Sequence, residues 1–270
     1  MGALIAERLR AEADRLTAAF HAPGRIGSAM IDDLLPAELV RDIYARFPAT
    51  DRLTLRRSIK ENKLVGAQMD QFDPLLEEAV FAFQQPEVVE LVAAITGLEA
   101  MEADPQLYAG GVSVMTKGGY LRPHIDNSHD SPRQRYRVLN LLFYVAPGWR
   151  EDYGGSLQLW DDGPLTTPRT LASCFNRLVL MATNRTSWHS VNEITHDGRR
   201  CCVSNYYFSR QSPEQADYFH ATSFRGERAG LSDIAMQADN ALRTAVLKTL
   251  PDAYTNPHIY AREPLASTRS

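Results

Sequence analysis

After Ala103 the texture of the chain changes. Helical periodicity gives way to short apolar runs separated by Gly, Pro, Asn and Asp. Residues 106–115, 120–126, 136–146, 156–160, 177–181, 186–191 and 199–208 each read as a strand. Leu157 and Leu159 alternate with Ser156, Gln158 and Trp160, the period of a half-buried strand. Residues 138–146 are nearly all apolar and read as a central strand covered on both faces. Seven or eight strands within roughly 100 residues confine this part of the chain to a sandwich or barrel.

Helical patterns lie on both sides. Residues 3–20 carry Ile5, Leu9, Leu16 and Phe20 near one face of an amphipathic helix. A Gly- and Pro-bearing loop over 21–28 follows, then a short strand over 29–33. Pro36 suits the first turn of a helix running to about Phe47. Asp73–Pro74 and Gln85–Pro86 each open a further helix, the first through Phe83, the second closed by Gly97. Before them, 49–72 begins basic and reads as a solvated loop, with a lid over a pocket as the alternative. From Pro213 onward helical spacing returns, most clearly over 231–250, and 251–270 reads as an irregular tail. The helices before residue 100 form no evident core of their own. The chain therefore reads as one catalytic domain, 1–270. Its parts are a helical support (1–104), a β-core (105–210) and a helical C-terminal extension (211–270).

Composition narrows the function. The 270 residues carry a formal net charge of −4, which disfavours nucleic acid and polybasic membrane-surface partners. No apolar run approaches the ~18 residues that span a bilayer, and Glu7, Arg8, Arg10 and Glu12 interrupt the N-terminal apolar stretch. Cys174, Cys201 and Cys202 cannot all pair and read as reduced thiols in a cytoplasmic protein. Nothing in the sequence sets an oligomeric state.

The chemistry concentrates on a few residues. His124-Ile125-Asp126 lies on an expected strand, where positions i and i+2 share a face, so imidazole and carboxylate converge. With 7 His and 18 Asp in the chain, chance supplies about 0.5 such tripeptides, so it needs support. His189 follows the apolar run 178–181, and Arg199 and Arg200 open the next strand. A strand arginine invites an anionic partner. Gly154-Gly155 opens the strand between the two histidine motifs and permits close backbone approach. Two imidazoles and a carboxylate on one octahedral face leave adjacent positions open, the arrangement of non-haem Fe(II) oxygenases.

In this order, His124-x-Asp126, Gly154-Gly155, His189 and Arg199/Arg200 resemble the Fe(II)/2-oxoglutarate-dependent dioxygenase superfamily, in particular its prolyl 4-hydroxylase-like branch. The runs 118–126, 142–145 and 154–159 are similar to that branch's approach to its first ligands and its central strands. The resemblance spans about 105–210, and more weakly 31–36. It implies a double-stranded β-helix (jelly-roll) core, mainly β with flanking helices. It further implies Fe(II) held by His124, Asp126 and His189, 2-oxoglutarate as cosubstrate, O2, and ascorbate as a reductant. Spacing from the distal histidine favours Arg199 as the cosubstrate arginine. The Arg-Cys-Cys pattern and the polar-tipped parity of Arg200, Cys202, Ser204 and Tyr206 favour Arg200. The branch's cosubstrate tyrosines have Met115 and Phe143 at the nearest positions, so Tyr120 or Tyr144 would supply the hydroxyl. The aspartate implies hydroxylation rather than halogenation, with desaturation and ring formation as open alternatives.

For the substrate, Tyr120 and Arg122 share strand parity with the ligands and could face the pocket, but rim packing and a surface salt bridge are the favoured reading. The basic run 56–60 would receive an acidic substrate. The flanking helices and a lid over 49–72 favour a small amino-acid-like or natural-product substrate over a protein; a peptidyl-prolyl hydroxylase is the alternative. Two readings of another class remain. One is a zinc hydrolase with His129 as an extra ligand, although His129 sits in what reads as a solvated turn. The other is a metal-binding jelly-roll module without oxygenase activity.

Overall fold

The computed structural model describes residues 1–214, 216–250 and 259–262. The expected irregular tail lies outside the described residues, apart from 259–262. In chain order the elements are α1 (Gly2–Ala11), α2 (Ala13–Phe20), β1 (Ser28–Ile31), α3 (Ala37–Ala45), β2 (Thr54–Arg57), β3 (Glu61–Gly66), α4 (Pro74–Phe81) and α5 (Pro86–Thr96). The strands β4 (Met101–Ala103), β5 (Gly111–Met115), β6 (Tyr120–Ile125), β7 (Tyr136–Tyr144), β8 (Leu157–Leu159), β9 (Arg169–Leu171) and β10 (Arg177–Ala182) follow. The described chain continues with β11 (His189–Val191), β12 (Arg200–Ser209), β13 (Ser223–Phe224) and α6 (Leu231–Thr249).

The strands join in one curled antiparallel sheet of jelly-roll type, ordered β1-β10-β7-β12-β5-β3-β6-β11-β8-β9. Strands β2, β4 and β13 attach at its sides, to β3, β12 and β6. The alternation along β7 explains why its sequence is apolar throughout. Leu139, Leu141 and Phe143 pack outward with Ile5, Leu9, Val88 and Val92 of the N-terminal helices. Tyr144 turns inward with Leu157, Leu159, Val179 and Met181. One strand thus serves two cores, so neither face can be polar along most of its length.

Helix boundaries follow local chemistry. Asp73 caps α4 through its carboxylate on the Leu75 N–H at 2.9 Å. Gly97 ends α5 in the left-handed region, φ 66°. The expected 3–20 helix breaks at Glu12, on which Arg8 and Arg15 converge. Among the described residues no single helix is long and apolar enough to cross a membrane.

Three stretches differ from the sequence expectation. Residues 49–72 are neither a solvated loop nor a detached lid. They form the β2–β3 hairpin, woven into the sheet through Leu64↔Val114 and Glu61↔Leu121. Its half-exposed residues leave no apolar stripe for a pattern to detect. The strand expected over 106–115 begins only at Gly111. Before it, Asp104 gathers the Gln106 and Tyr108 N–H groups, and Leu107 and Ala109 adopt positive φ, making a tight loop. Residues 216–230 are not helical; they carry β13, which pairs with β6 beside His124. Strands β4 and β9, of three residues each, have too few positions to show a period.

Candidate active site

The ladder between β6 and β11 sets His189 directly opposite His124, and Val191 opposite Leu121. Three steps along β6 therefore match two along β11, a bulge. The bulge decides between the two readings of β6 in favour of the rim for Tyr120 and Arg122. Leu121 and His124 line the central cavity, whereas Tyr120 and Arg122 sit at the rim. The Tyr120 hydroxyl donates to the Ser58 carbonyl at 2.8 Å, and Arg122 pairs with Glu227 at 2.5 Å.

At this bulge three side chains meet. His124 Nε2 lies 3.7 Å from Asp126 Oδ1, and His189 Nε2 lies 3.8 Å from Asp126 Oδ2. One donor atom from each of the three falls within 4.8 Å of the other two. Each imidazole is oriented from behind. His124 Nδ1 sits 2.9 Å from the Arg122 carbonyl, and His189 Nδ1 sits 2.9 Å from the Ser187 carbonyl. A carbonyl only accepts, so both Nδ1 atoms carry the proton and both Nε2 lone pairs face Asp126. Phe224 of β13 stacks on the His124 ring at 5.1 Å.

The electrostatics match this donor set. Burial pushes His124 down to about 3, and the neighbouring His189 pushes the same way. Burial alone would raise Asp126, but the His189, Arg137 and His124 charges outweigh it and hold the carboxyl below its usual range. At neutral pH the site therefore presents a neutral His124 imidazole beside an ionised Asp126 carboxylate. Asp126 Oδ2 is buried without a hydrogen-bond partner. A buried, unpaired carboxylate oxygen facing two imidazole lone pairs fits a divalent metal, and two nitrogens with one oxygen suit Fe(II).

The triad opens onto a cavity of about 700 Å³ that also reaches Arg200. Arg200 is 3% exposed, and its guanidinium lies 4.6 Å over the Tyr144 ring. Its Nε donates to Ser173 Oγ at 3.3 Å, and Met115 Sδ is the other neighbour at 3.7 Å. Among the described residues no carboxylate pairs with it. Arg199 points the other way, donating to the Pro48 carbonyl at 2.5 Å, and it does not line the cavity. On β12, Arg200, Ser204 and Tyr206 line the cavity, while Cys201, Val203 and Tyr207 join the helical core.

The same alternation accounts for the missing tyrosine. Phe143 faces the helices, its ring 5.8 Å from Phe83. Tyr144, one residue on, is the inward aromatic beside Arg200. Burial raises its hydroxyl to about 12, so it stays protonated as a donor. His129 is not in a solvated turn. It is 8% exposed, packed on Tyr136 at 4.4 Å, with Nδ1 2.8 Å from Ser128 Oγ. It also lies outside the metal-ligating cluster.

Tyr206 lines the cavity on the Arg200 face, as expected, but sequence reasoning missed Arg137 and Asn140, which line it beside the triad. The signal existed: Arg137 and Asn140 are the polar interruptions of the otherwise apolar β7. It also missed the cavity residues supplied by β3 and α6, among them Lys63 and Asp239.

Comparison with known proteins agrees with this geometry. Residues 110–208 match the model of the 2OG-Fe(II) oxygenase superfamily. A mouse protein, prolyl 3-hydroxylase OGFOD1, is 27% identical over 96 residues, 34% of this chain and 17% of that protein. Among solved structures, a Pseudomonas putida prolyl-4-hydroxylase superposes with TM-score 0.52 at 20% identity, over 73% of this chain and all of that one. A prolyl 4-hydroxylase of Phytophthora capsici gives 0.53 at 19%, over 93% of this chain and 78% of that one. The expectation of a small-molecule substrate is corrected here. These relatives are prolyl hydroxylases, and the lid that motivated an enclosed pocket is a hairpin of the sheet. The His124–Asp126–His189 cluster and the buried Arg200 both lie within the matched stretch and share its jelly-roll cavity. Residues 110–208 are thus a stretch of the 2OG-Fe(II) oxygenase superfamily.

Proposed function

We propose that the protein is an Fe(II)- and 2-oxoglutarate-dependent hydroxylase acting on a prolyl residue of a peptide or protein. The observation that carries this reading is the sharing of one cavity by the His124–Asp126–His189 cluster and the buried, carboxylate-free Arg200. His124 Nε2, the Asp126 carboxylate and His189 Nε2 would hold Fe(II). Arg200 would receive the distal carboxylate of 2-oxoglutarate, with the Ser173 and Tyr144 hydroxyls beside it. When bound, the metal with 2-oxoglutarate and O2 supplies the oxidising power for C–H hydroxylation, with succinate and CO2 as co-products.

The chain's own part is orientation and exclusion. The Arg122 and Ser187 carbonyls keep both imidazoles in the metal-binding tautomer. Arg137 holds Asp126 ionised from 3.7 Å. Tyr144 keeps its proton and offers it to a carboxylate. Leu157, Val191 and Leu142 give the cavity an apolar wall that sheds water. A zinc hydrolase would leave Arg200 without use. The prolyl assignment is supported by the 96-residue match to a prolyl 3-hydroxylase.

The test is substrate-stimulated succinate formation over a panel of proline-bearing peptides, with mass analysis for gain of one oxygen atom. Hydroxyproline formed in step with succinate is the expected result. Turnover with no proline-bearing peptide, under conditions where Fe(II) and 2-oxoglutarate bind, would overturn the prolyl assignment.

A further inference from the structure

The cavity wall beside the triad carries more positive charge than the mechanism uses. Seven Arg and Lys residues line the cavity against four Asp and Glu, in a chain of net charge −4. The acids are already engaged. Asp126 belongs to the triad, Asp130 pairs with Arg135 at 2.8 Å, Glu61 pairs with Lys63 at 3.1 Å, and Asp239 pairs with Lys60. The surplus sits on Arg137 and Arg56.

Arg137 is 2% exposed, and a bulge puts it in the cavity. Along the β7–β12 ladder, Arg137 faces Phe208 and Leu139 faces Tyr207, so Val138 is the extra residue and turns into the core. Arg137 and Asn140, three apart, consequently share the cavity face. The guanidinium lies 4.1 Å over the Tyr206 ring. Its Nε has no hydrogen-bond partner, and its nearest carboxylate, Asp126 at 3.7 Å, is committed to the metal position. A buried cation without an anion of its own is costly to maintain. Arg200 sits among Ser173, Met115 and Tyr144, and shares none of these neighbours with Arg137, whose ring contacts are Tyr108, Tyr206 and Phe208.

Arg56 approaches from the hairpin. It stands directly opposite Lys63 in the β2–β3 ladder, and like charges in that position repel. Both side chains line the cavity. Lys63 is close enough for its charge to act on His124 and Asp126, and Arg56 close enough to act on Tyr206. Among the described residues Arg56 has no acidic partner.

We propose that Arg137 and Arg56, with Lys63 opposite, form a carboxylate-reading subsite that selects substrates bearing an acidic side chain next to the target residue. The inference rests on the hydroxylase reading above and narrows its substrate class to acidic peptides. A positive cleft in an acidic protein concentrates such segments at its mouth, and the buried guanidinium fixes one carboxylate beside the reacting centre.

The experiment compares acetyl-Ala-Glu-Pro-Glu-Ala-amide with its glutamine twin, acetyl-Ala-Gln-Pro-Gln-Ala-amide. Calorimetry is run without oxygen on the Fe(II)-loaded protein with saturating 2-oxoglutarate, which occupies the Arg200 end. The acidic peptide should bind at least about tenfold more tightly than its twin at low salt. That preference should shrink as salt rises and should vanish in the Arg56→Glu/Lys63→Glu variant. Both changes lie on the half-exposed hairpin, and retention of Arg56→Lys as an acid-preferring variant separates charge from folding. Equal binding of the twins, or binding of neither, would overturn the subsite. Mass analysis after admitting oxygen reads the hydroxylase assignment separately. An acidic peptide that binds selectively but gains no oxygen would end the prolyl reading while the subsite stands.

Discussion

His189 lies opposite His124 across the β6–β11 ladder, their ring centroids 4.1 Å apart, and each ring leans on the carbonyl two residues before it. One local device is thus used twice. A strand residue turns its imidazole so that Nδ1–H reaches the backbone at i−2, which leaves Nε2 free. Both Nε2 atoms then face one carboxylate, that of Asp126, two residues beyond His124. Orientation of this kind is fixed before any metal arrives, so binding need not reorganise the ligands.

Asp126 is the ligand whose removal is most diagnostic. Asp126→Ala leaves two imidazoles without their carboxylate and a buried Arg137 whose nearest carboxylate is gone. Fe(II) affinity and succinate formation should both fall by about 100-fold or more. Calorimetric titration with Fe(II) under nitrogen, followed by a succinate assay, checks both. Turnover near the unmodified level would remove Asp126 from the metal site.

Two adjacent arginines make opposite predictions. Arg200→Gln removes the buried guanidinium at the end of the cavity, and KM for 2-oxoglutarate should rise by about 100-fold, the equivalent of roughly 3 kcal/mol for a buried charge-assisted pair. Arg199→Gln loses only the contact to the Pro48 carbonyl, and KM should move by less than about threefold. Steady-state kinetics in 2-oxoglutarate separates them. A larger effect at Arg199 would reverse the assignment of the cosubstrate end.

Much of the fold and the site is legible in the sequence, and what is not has two physical causes. The β-core, the α4 and α5 caps and the inward parity of Arg200 follow from period and from single-residue chemistry. What escaped was anything that depends on a bulge. Parity alone left Tyr120 and Arg122 able to enter the pocket; they take the favoured rim position because of the extra β6 residue between His124 and Leu121. Parity also hid Arg137 behind Val138, because the β7 bulge is set by its partner strand. The β2–β3 hairpin escaped because its strands are half-exposed on both faces. Sequence patterns record which face is buried; they do not record where a ladder slips by one.

Gly154 offers a stability test at the turn into β8. Its φ is 76°, and an added Cβ would lie 2.0 Å from the Glu193 carbonyl oxygen, a backbone atom that cannot swing away. Its own carbonyl also accepts from the Trp149 indole at 2.9 Å. Gly154→Ala should cost about 3 kcal/mol or more. Gly118 has the same φ of 76° with nothing within 4 Å of the added carbon, so Gly118→Ala should cost only about 1 kcal/mol. Urea unfolding of both variants measures the difference. Equal losses would mean that backbone conformation alone, and not the close approach to residue 193, demands glycine at 154.

The attachment of α6 is acid-labile by construction. Of its residues only Asp233 and Met236 are buried, so polar contacts hold it. Arg225 grips both Asp233 oxygens at 2.7 and 2.9 Å, and the Gly226 N–H adds a bond of 2.8 Å. Further along, Asn240 exchanges hydrogen bonds with the Phe224 backbone, and Phe224 stacks on His124. The hydrogen bond from Arg225 lowers Asp233 to about 2, against 3.8 for a free aspartate. Between those values the detached helix binds a proton that the docked helix does not, so docking weakens as pH falls. The clasp is fully formed above about pH 4 and is lost on the way to pH 2. Pepsin, active across this range, should release α6 ahead of the sheet at pH 2.5 but not at pH 4.5. Asp233→Asn should reproduce the release at neutral pH, seen as amide exchange over 231–249 faster by about tenfold. Release of α6 at the same rate at both pH values would show that the Arg225–Asp233 pair does not hold it.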